Sequence, residues 1–249
     1  MNVLRKPNVK GLPALIFWLA VWYLAALWVN NPLLLPTPVD VLRRLGQLAL
    51  TASFWQITLT SIGRILLGVV SGVALGVGLA VLTSISRIAE MLVAPAMTAM
   101  QATPVASFAI LVLIWVDRDF VPVLICAMMV LPVIHGSVST GIRMTDPKLL
   151  EMAKVSRLPK LRILRRIYVP SVMPFFRTSS VSALSLGWKA GIAAEVLTVP
   201  KASIGRMLSE GKLYVMTEDM FAWTVTIVVL SLLLQRLMLL LMKGREGHA

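Results

Sequence analysis

Charged residues are scarce in this chain, at 14% of the sequence against 58% hydrophobic residues, and the mean hydropathy is +0.85. Soluble domains carry about 25% charged residues, so this scarcity excludes a water-soluble globular protein. A hydrocarbon core needs about 20 apolar residues per helix, and 249 residues therefore accommodate about six spans with short connections. We treat residues 1–249 as a single membrane domain.

Acidic residues are also few, 11 against 24 lysines and arginines, which gives a formal net charge of +13. A basic chain can bind nucleic acid, but here the basic residues lie in short stretches between apolar runs. Membrane topology produces this distribution, so we expect contact with membrane lipid and no nucleic-acid partner. The single cysteine, Cys126, lies inside an apolar run and is expected to pack in the core.

Sequence signatures of catalysis and cofactor binding are missing. No glycine-rich loop is followed by the lysine and hydroxyl residue of a phosphate-binding site. We also find no metal-ligand cluster, catalytic dyad or nucleophile elbow. We therefore expect no enzyme activity, no metal and no cofactor bound by this chain.

Six apolar stretches are long enough to cross a bilayer, and they predict an all-α, polytopic membrane bundle. They lie at about 12–29, 57–82, 91–116, 120–141, 169–199 and 220–242. Several contain prolines, which a membrane helix tolerates only where neighbours satisfy the freed backbone groups, so the bundle should be tightly packed.

The basic residues predict the orientation of the chain. The connection at 142–168 holds eight lysines and arginines, whereas the turn after the third stretch offers only Asp117, Arg118 and Asp119. Translocation of positive charge is disfavoured, so the basic connection should be cytoplasmic, and six spans then place both termini in the cytoplasm. The basic residues near the termini agree with this prediction: Arg5, Lys6, Lys10, Lys243 and Arg245.

Gly68, Gly72 and Gly76 place a glycine at every fourth residue of the second stretch. They lie on one helix face, where another backbone can approach closely. We consider this face a packing surface and a candidate for the interface with another subunit.

The segment from Met144 to Pro170 is too polar for a simple turn. Asp146 and Pro147 form a helix start, and Pro159 should end or bend that helix, so we predict a helix, a break and a second, basic helix. Leu149, Leu150 and Ala153, with Met152, can form its apolar face. Such a helix can dock into a groove of a soluble partner, or it can lie on the membrane surface with its basic residues as topology anchors.

The same segment resembles the EAA loop of ATP-binding-cassette importer permeases, whose pattern is E-A-A, three residues, G, nine residues, I, one residue, L-P. Glu151, Ala153, Ile167 and Pro170 match this pattern at intact spacing. Met152 replaces the first alanine, Arg157 the glycine and Val169 the leucine. The lead-in from Asp146 to Leu150 is similar to that of the nitrate, sulfonate and taurine branch, and so are three further segments in matching order: 35–38, 103–106 and 194–197.

This resemblance implies a type I importer permease fold in the bacterial plasma membrane, with a cytoplasmic coupling loop at about 144–170. It implies a homodimer with a second copy, an ATP-binding subunit that hydrolyses ATP, and an extracytoplasmic binding protein that delivers a small anionic or polar solute. The residues that it assigns to coupling are Leu149, Leu150, Glu151, Met152, Ala153, Arg157, Ile167 and Pro170.

Lys189 and Glu195 are charged residues inside the fifth apolar stretch. A charge at the centre of a membrane helix costs about 2.5–3.5 kcal/mol, so such groups usually pair or line an aqueous path. On one hypothesis Lys189 lines the translocation path and favours anionic or carbonyl-bearing substrates, with Glu195 nearer the outer mouth. On the other, they form structural pairs with Arg64 or Arg177.

An ion-gradient-driven secondary transporter or channel is the alternative function, since intramembrane charges can sense a gradient. The sequence shows neither inverted repeats nor paired broken helices related between its halves, which are the usual pointers to that class.

Overall fold

A computed structural model describes residues 11–243 of the chain, and all regular elements in this range are helical. The helices are α1 (Gly11–Val29), α2 (Pro38–Ala49), α3 (Ala52–Ile85), α4 (Arg87–Ala102), α5 (Val105–Val112), α6 (Val121–Arg143), α7 (Pro147–Val155), α8 (Lys160–Ile163), α9 (Val169–Thr198), α10 (Ile204–Leu213) and α11 (Thr217–Lys243). A π-helical turn, Leu164–Tyr168, joins α8 to α9. Arg5, Lys6, Lys10 and Arg245, which supported the orientation, lie outside the described residues.

Capping side chains define where several helices begin. The hydroxyls of Thr37, Thr51 and Ser86 accept hydrogen bonds from backbone N–H groups in the first turns of α2, α3 and α4. Each of these bonds satisfies a donor that has no partner inside the helix. Short breaks between these helices therefore leave fewer backbone N–H groups without a partner.

Helices α3, α6 and α9 pack together as the centre of the fold. Ile65, Val130 and Trp188, one from each helix, are buried in the same hydrophobic cluster. Helix α11 joins this core through Trp223, which stacks on Phe54 with ring centroids 4.9 Å apart. The all-α bundle that the sequence predicts is confirmed.

The glycines of α3 face α6 of the same chain. A Cβ atom built on Gly68 would lie 2.5 Å from both the Cβ of Cys126 and the carbonyl oxygen of Val123. One on Gly72 would lie 2.7 Å from the carbonyl oxygen of Ala127, so only glycine permits this approach. The packing surface is confirmed, but its assignment to an intersubunit interface is wrong, because α6 already covers it.

The third predicted stretch, 91–116, is not one continuous helix. It forms α4 and α5, whose axes differ by 105°. Pro104 has no N–H group and disfavours the helical conformation for the residue before it, and Thr103 is accordingly extended (φ −75°, ψ 124°). The stretch that was predicted as one membrane helix is therefore a broken helix pair.

By length and composition, α3, α6 and α11 could each cross a membrane, and the bent pair α4–α5 adds a fourth span if it acts as one. Helix α1 occupies the first predicted stretch, but its apolar part, Pro13–Val29, is shorter than α3, α6 and α11. Helix α9 occupies the fifth and carries Arg177, Lys189 and Glu195. The described residues thus contain up to four such spans where the sequence predicts six.

Candidate functional site

Helix α7 begins where the Asp146-Pro147 pair predicts. The Asp146 side chain accepts a hydrogen bond of 2.9 Å from the backbone N–H of Lys148, and Pro147 occupies the first helical position, where an N–H group is not needed. Because only Met144, Thr145 and Asp146 separate α6 from α7, the position of α7 depends closely on that of α6.

The apolar residues of α7 divide between two faces. Ala153 is completely buried within the chain and Leu150 is half-buried, whereas Leu149, Met152 and Val155 are 41%, 56% and 86% exposed. The exposed three recur at every third position, so they form a continuous stripe along the helix. Ala153, which the sequence assigned to a docking face, is therefore inaccessible to a partner.

Arg157 has a left-handed backbone conformation, with φ of +47°. Its N–H bonds to the carbonyl of Lys154 and the N–H of Leu158 bonds to that of Ala153, at 3.0 Å each, which is the Schellman arrangement at a helix C-terminus. Glycine adopts this conformation without steric cost. The turn expected of a glycine is therefore present even though arginine occupies the position.

The chain after Pro159 runs as α8, the π turn and α9, which confirms the predicted helix, break and basic helix. Proline inside a helix removes one hydrogen bond and clashes with the carbonyl four residues earlier. The π turn contains Arg166, the residue four positions before Pro170. Ile167 is buried in this turn. The basic residues of the segment are all exposed: Lys160, Arg162, Arg165 and Arg166.

Glu151 is exposed on α7, and within residues 11–243 it makes no ion pair. It lies beside the stripe of Leu149, Met152 and Val155, so the helix presents both apolar contacts and an available carboxylate.

Glu195 is fully buried and belongs to a polar cluster. Its carboxylate is 3.0 Å from the Nη1 of Arg64 and accepts hydrogen bonds from the hydroxyl of Ser61 at 2.8 Å and the backbone N–H of Gly205 at 3.2 Å. Burial of a charge is tolerated only when it is paired and hydrogen-bonded. Of the two hypotheses for Glu195, the structural pair with Arg64 therefore agrees with the contacts that it makes.

The loop before α6 extends this cluster. Asp119 lies 3.6 Å from Arg64 and accepts a 2.7 Å hydrogen bond from the backbone N–H of Lys201. Ser61 and Asp119 are members of this cluster that were not predicted from the sequence. The sequence signal that could have pointed to such a cluster is Arg64, because a charge inside the second apolar stretch requires an acidic partner.

This cluster and α7 lie at opposite ends of α6, a helix of 23 residues that is about 34 Å long. Asp119 precedes the N-terminus of α6, whereas α7 follows its C-terminus. The two polar regions are therefore separated by roughly the thickness of a bilayer core, about 30 Å.

Lys189 lies on the opposite side of α9 from the core. It is exposed together with Ser182, Leu186 and Ala193, which recur at helical spacing, and it makes no ion pair with the described residues. The structure thus separates the two charges that the sequence grouped together: Glu195 is enclosed and Lys189 is accessible.

A packed core of long apolar helices, with a short capped helix between α6 and α9 in the chain, is the architecture of a polytopic membrane protein. The chain belongs to the family described as "Binding-protein-dependent transport system inner membrane component", whose sequence profile matches residues 72–246.

Similar proteins include the putative aliphatic sulfonates transport permease of Bacillus subtilis (strain 168), which is 25% identical over 90% of this chain and 81% of its own length. The taurine transport system permease of Escherichia coli (strain K12) is 22% identical over 86% of this chain and 80% of its own length. A crystal structure of an amino acid ABC transporter with histidines superposes with a TM-score of 0.60 at 15% identity, covering 77% of this chain and 91% of that one, and shows the same fold.

The chain is thus the multi-pass membrane permease subunit of an ABC importer, as its resemblance to the EAA-loop permeases implied. A secondary transporter or channel is not favoured, since the relatives are permeases of ABC systems.

Proposed function

We propose that α7 docks into a groove of a separate ATP-binding subunit and couples ATP hydrolysis there to movement of the membrane helices. The exposed stripe of Leu149, Met152 and Val155 supports this proposal, because apolar anchors at helical spacing suit a helix-in-groove interface. The exposed carboxylate of Glu151 can supply a polar contact at the rim of that interface.

The connections of α7 support a mechanical role. Its N-terminus is joined by a short link to α6, and its C-terminus is joined through the Arg157 turn and α8 to α9. Both α6 and α9 are core helices. A force on α7 is therefore transmitted to the centre of the bundle. If the nucleotide state is to control access to the translocation path, the bundle must change there between an inward-open and an outward-open state.

In the assembly that we propose, the loop 144–170 and both termini are cytoplasmic, and two copies of the chain form a homodimer in the bacterial plasma membrane. An extracytoplasmic binding protein delivers a small anionic or polar solute to the homodimer. The exposed lysines and arginines of the loop support this orientation.

The double variant Leu149→Asp/Met152→Asp tests the docking proposal. Both side chains are exposed, so the chain should fold normally, but two carboxylates in an apolar groove would have to be desolvated without partners. We expect copurification of the ATP-binding subunit to fall at least about tenfold, the result of a loss of about 1.4 kcal/mol or more, and transport to stop.

Leu50→Asp is the matched control, because Leu50 is 90% exposed and follows α2 rather than lying on α7. This variant should retain the full complex. A stoichiometric complex with the Leu149→Asp/Met152→Asp chain would contradict the assignment of α7 as the docking helix.

We further propose that Lys189 lines the translocation path and attracts anionic solutes. Its exposure on a core helix supports this role, since a lysine that faces lipid from a membrane helix is costly whereas one that faces an aqueous path is not. The relatives named for aliphatic sulfonates and for taurine make sulfonates suitable test solutes.

Lys189→Met should raise the KM for uptake of a labelled short alkanesulfonate at least about fivefold in proteoliposomes that contain the complete importer, as expected for one lost charge interaction of about 1 kcal/mol or more. Lys212→Met, which removes an exposed lysine from α10, is the control and should leave KM unchanged. Normal uptake by Lys189→Met would exclude Lys189 from the path.

A further inference from the structure

A polar cavity lies where α3 ends, α4 begins and α6 approaches its C-terminus. Its volume is about 360 Å³. The polar residues that line it are Thr83, Ser84, Arg87, Glu90, Ser139 and Arg143. It is separate from the Glu195 cluster, which lies near the other end of α6.

The charges of this cavity favour an anion. Two guanidinium groups face one carboxylate, and the Nη2 of Arg143 donates a 3.1 Å hydrogen bond to the Oε1 of Glu90. Arg87 makes no ion pair with any residue of the described range 11–243. One cation of the cavity therefore has no counter-charge from this part of the chain.

The N-terminus of α4 adds to this positive potential. Arg87 is the first residue of this 16-residue helix, and Ser86 caps it by accepting a hydrogen bond of 3.3 Å from the N–H of Ala89. The remaining N–H groups of a first turn and the helix dipole attract negative charge. The guanidinium group of Arg87 and the N-terminus of α4 thus lie together.

Ser139 provides an independent observation. It lines the cavity and is only 7% exposed, yet its hydroxyl oxygen has no hydrogen-bond partner among the described residues. Buried hydroxyl groups are nearly always hydrogen-bonded, so an exception calls for a partner that the protein itself does not supply. A ligand oxygen in the cavity would be such a partner.

We propose that this cavity binds an oxyanion of the phosphate type, carried either by an anionic lipid headgroup or by a free ion. Arg87 is the primary ligand, since a guanidinium group matches phosphate oxygens with two parallel hydrogen bonds. Arg143, held by Glu90, and the Ser139 hydroxyl contribute further donors. The C-terminal ends of α3 and α6, two helices long enough to span a membrane, meet at this cavity. Basic pockets between the ends of such helices take lipid phosphates.

The test uses the full-length chain in two arms. In the first, native mass spectrometry counts phosphatidylglycerol and phosphatidylcholine retained after extraction from mixed-lipid nanodiscs. In the second, the detergent-purified chain is titrated with inorganic phosphate and its thermal stability is followed.

Arg87→Gln should weaken anion binding at least about tenfold, as expected for loss of a charge-assisted hydrogen-bond donor. Ser139→Ala should weaken it by about threefold while leaving stability equal or higher, because it removes a hydroxyl that has no partner. Arg118→Gln, at the other end of α6, is the control and should bind as the unmodified chain does.

Retention of phosphatidylglycerol that depends on Arg87 identifies a lipid headgroup, and Arg87-dependent stabilisation by inorganic phosphate identifies a free oxyanion. Either result supports the site. Equal binding of both probes by the unmodified chain and Arg87→Gln would overturn it.

Discussion

Replacing Gly72 by leucine is expected to prevent the chain from folding in the membrane. Even a Cβ atom at this position would lie 2.7 Å from the carbonyl oxygen of Ala127 and 2.9 Å from the Cβ of Val130. The obstruction includes backbone, which cannot move aside as a flexible side chain can, so α3 and α6 would have to separate. Because these two helices form much of the core with α9, the separation would disrupt the whole bundle.

The measurement is the yield of monodisperse protein after detergent extraction, followed by thermal unfolding of any variant that survives. Gly72→Ala is the smaller change at the same position. It should lower the free energy of unfolding by about 1–3 kcal/mol, the usual cost of an added methyl group in a packed core.

Gly63 and Gly78 provide matched controls on the same helix, because nothing lies within 4 Å of a Cβ atom built on either one. Their leucine variants should be recovered in normal yield, and their alanine variants should equal or exceed the stability of the unmodified chain. An equal loss of yield for Gly63→Leu and Gly72→Leu would show that contact with α6 is not the cause.

The glycines of α3 also show how far the sequence leads. Their spacing identifies a face for close helix approach, but it does not name the partner helix, because a second subunit and α6 satisfy the pattern equally well. Only the three-dimensional contacts with Cys126, Val123 and Ala127 identify α6. The break at Pro104 is a second example. The proline marks where a helix can bend, whereas the 105° angle between α4 and α5 depends on the packing around it.

The candidate site was predictable in its local chemistry. Asp146 and Pro147 predicted the start of α7, and Pro159 predicted a break before the next helix, since capping and proline effects depend on neighbouring residues alone. The end of α7 at Val155 comes four residues before Pro159 and is formed by the turn at Arg157. Which apolar residues of α7 remain accessible was not predictable, because the burial of Ala153 depends on the rest of the fold. The pairing of Glu195 with Arg64 joins residues 131 positions apart, a distance that no local pattern spans.

Replacing Arg64 by methionine is expected to lower the free energy of unfolding by about 3–5 kcal/mol, because it leaves the carboxylate of Glu195 buried without its counter-charge. Ser61 and Gly205 would still donate hydrogen bonds to that carboxylate, but they carry no net charge. The loss should also release Asp119, whose loop is held near α3 by the same guanidinium group.

The double variant Arg64→Met/Glu195→Gln should recover most of this loss, because a neutral amide no longer requires a charged partner. Thermal or denaturant unfolding of the single and double variants in detergent gives the interaction energy of the pair as a double-mutant cycle. Arg206→Met, which breaks a partly exposed pair with Glu210 on α10, should cost no more than about 1 kcal/mol. If Arg64→Met costs no more than Arg206→Met, the ion pair is not what stabilises this end of the bundle, and Glu195 would again be available for a role in transport.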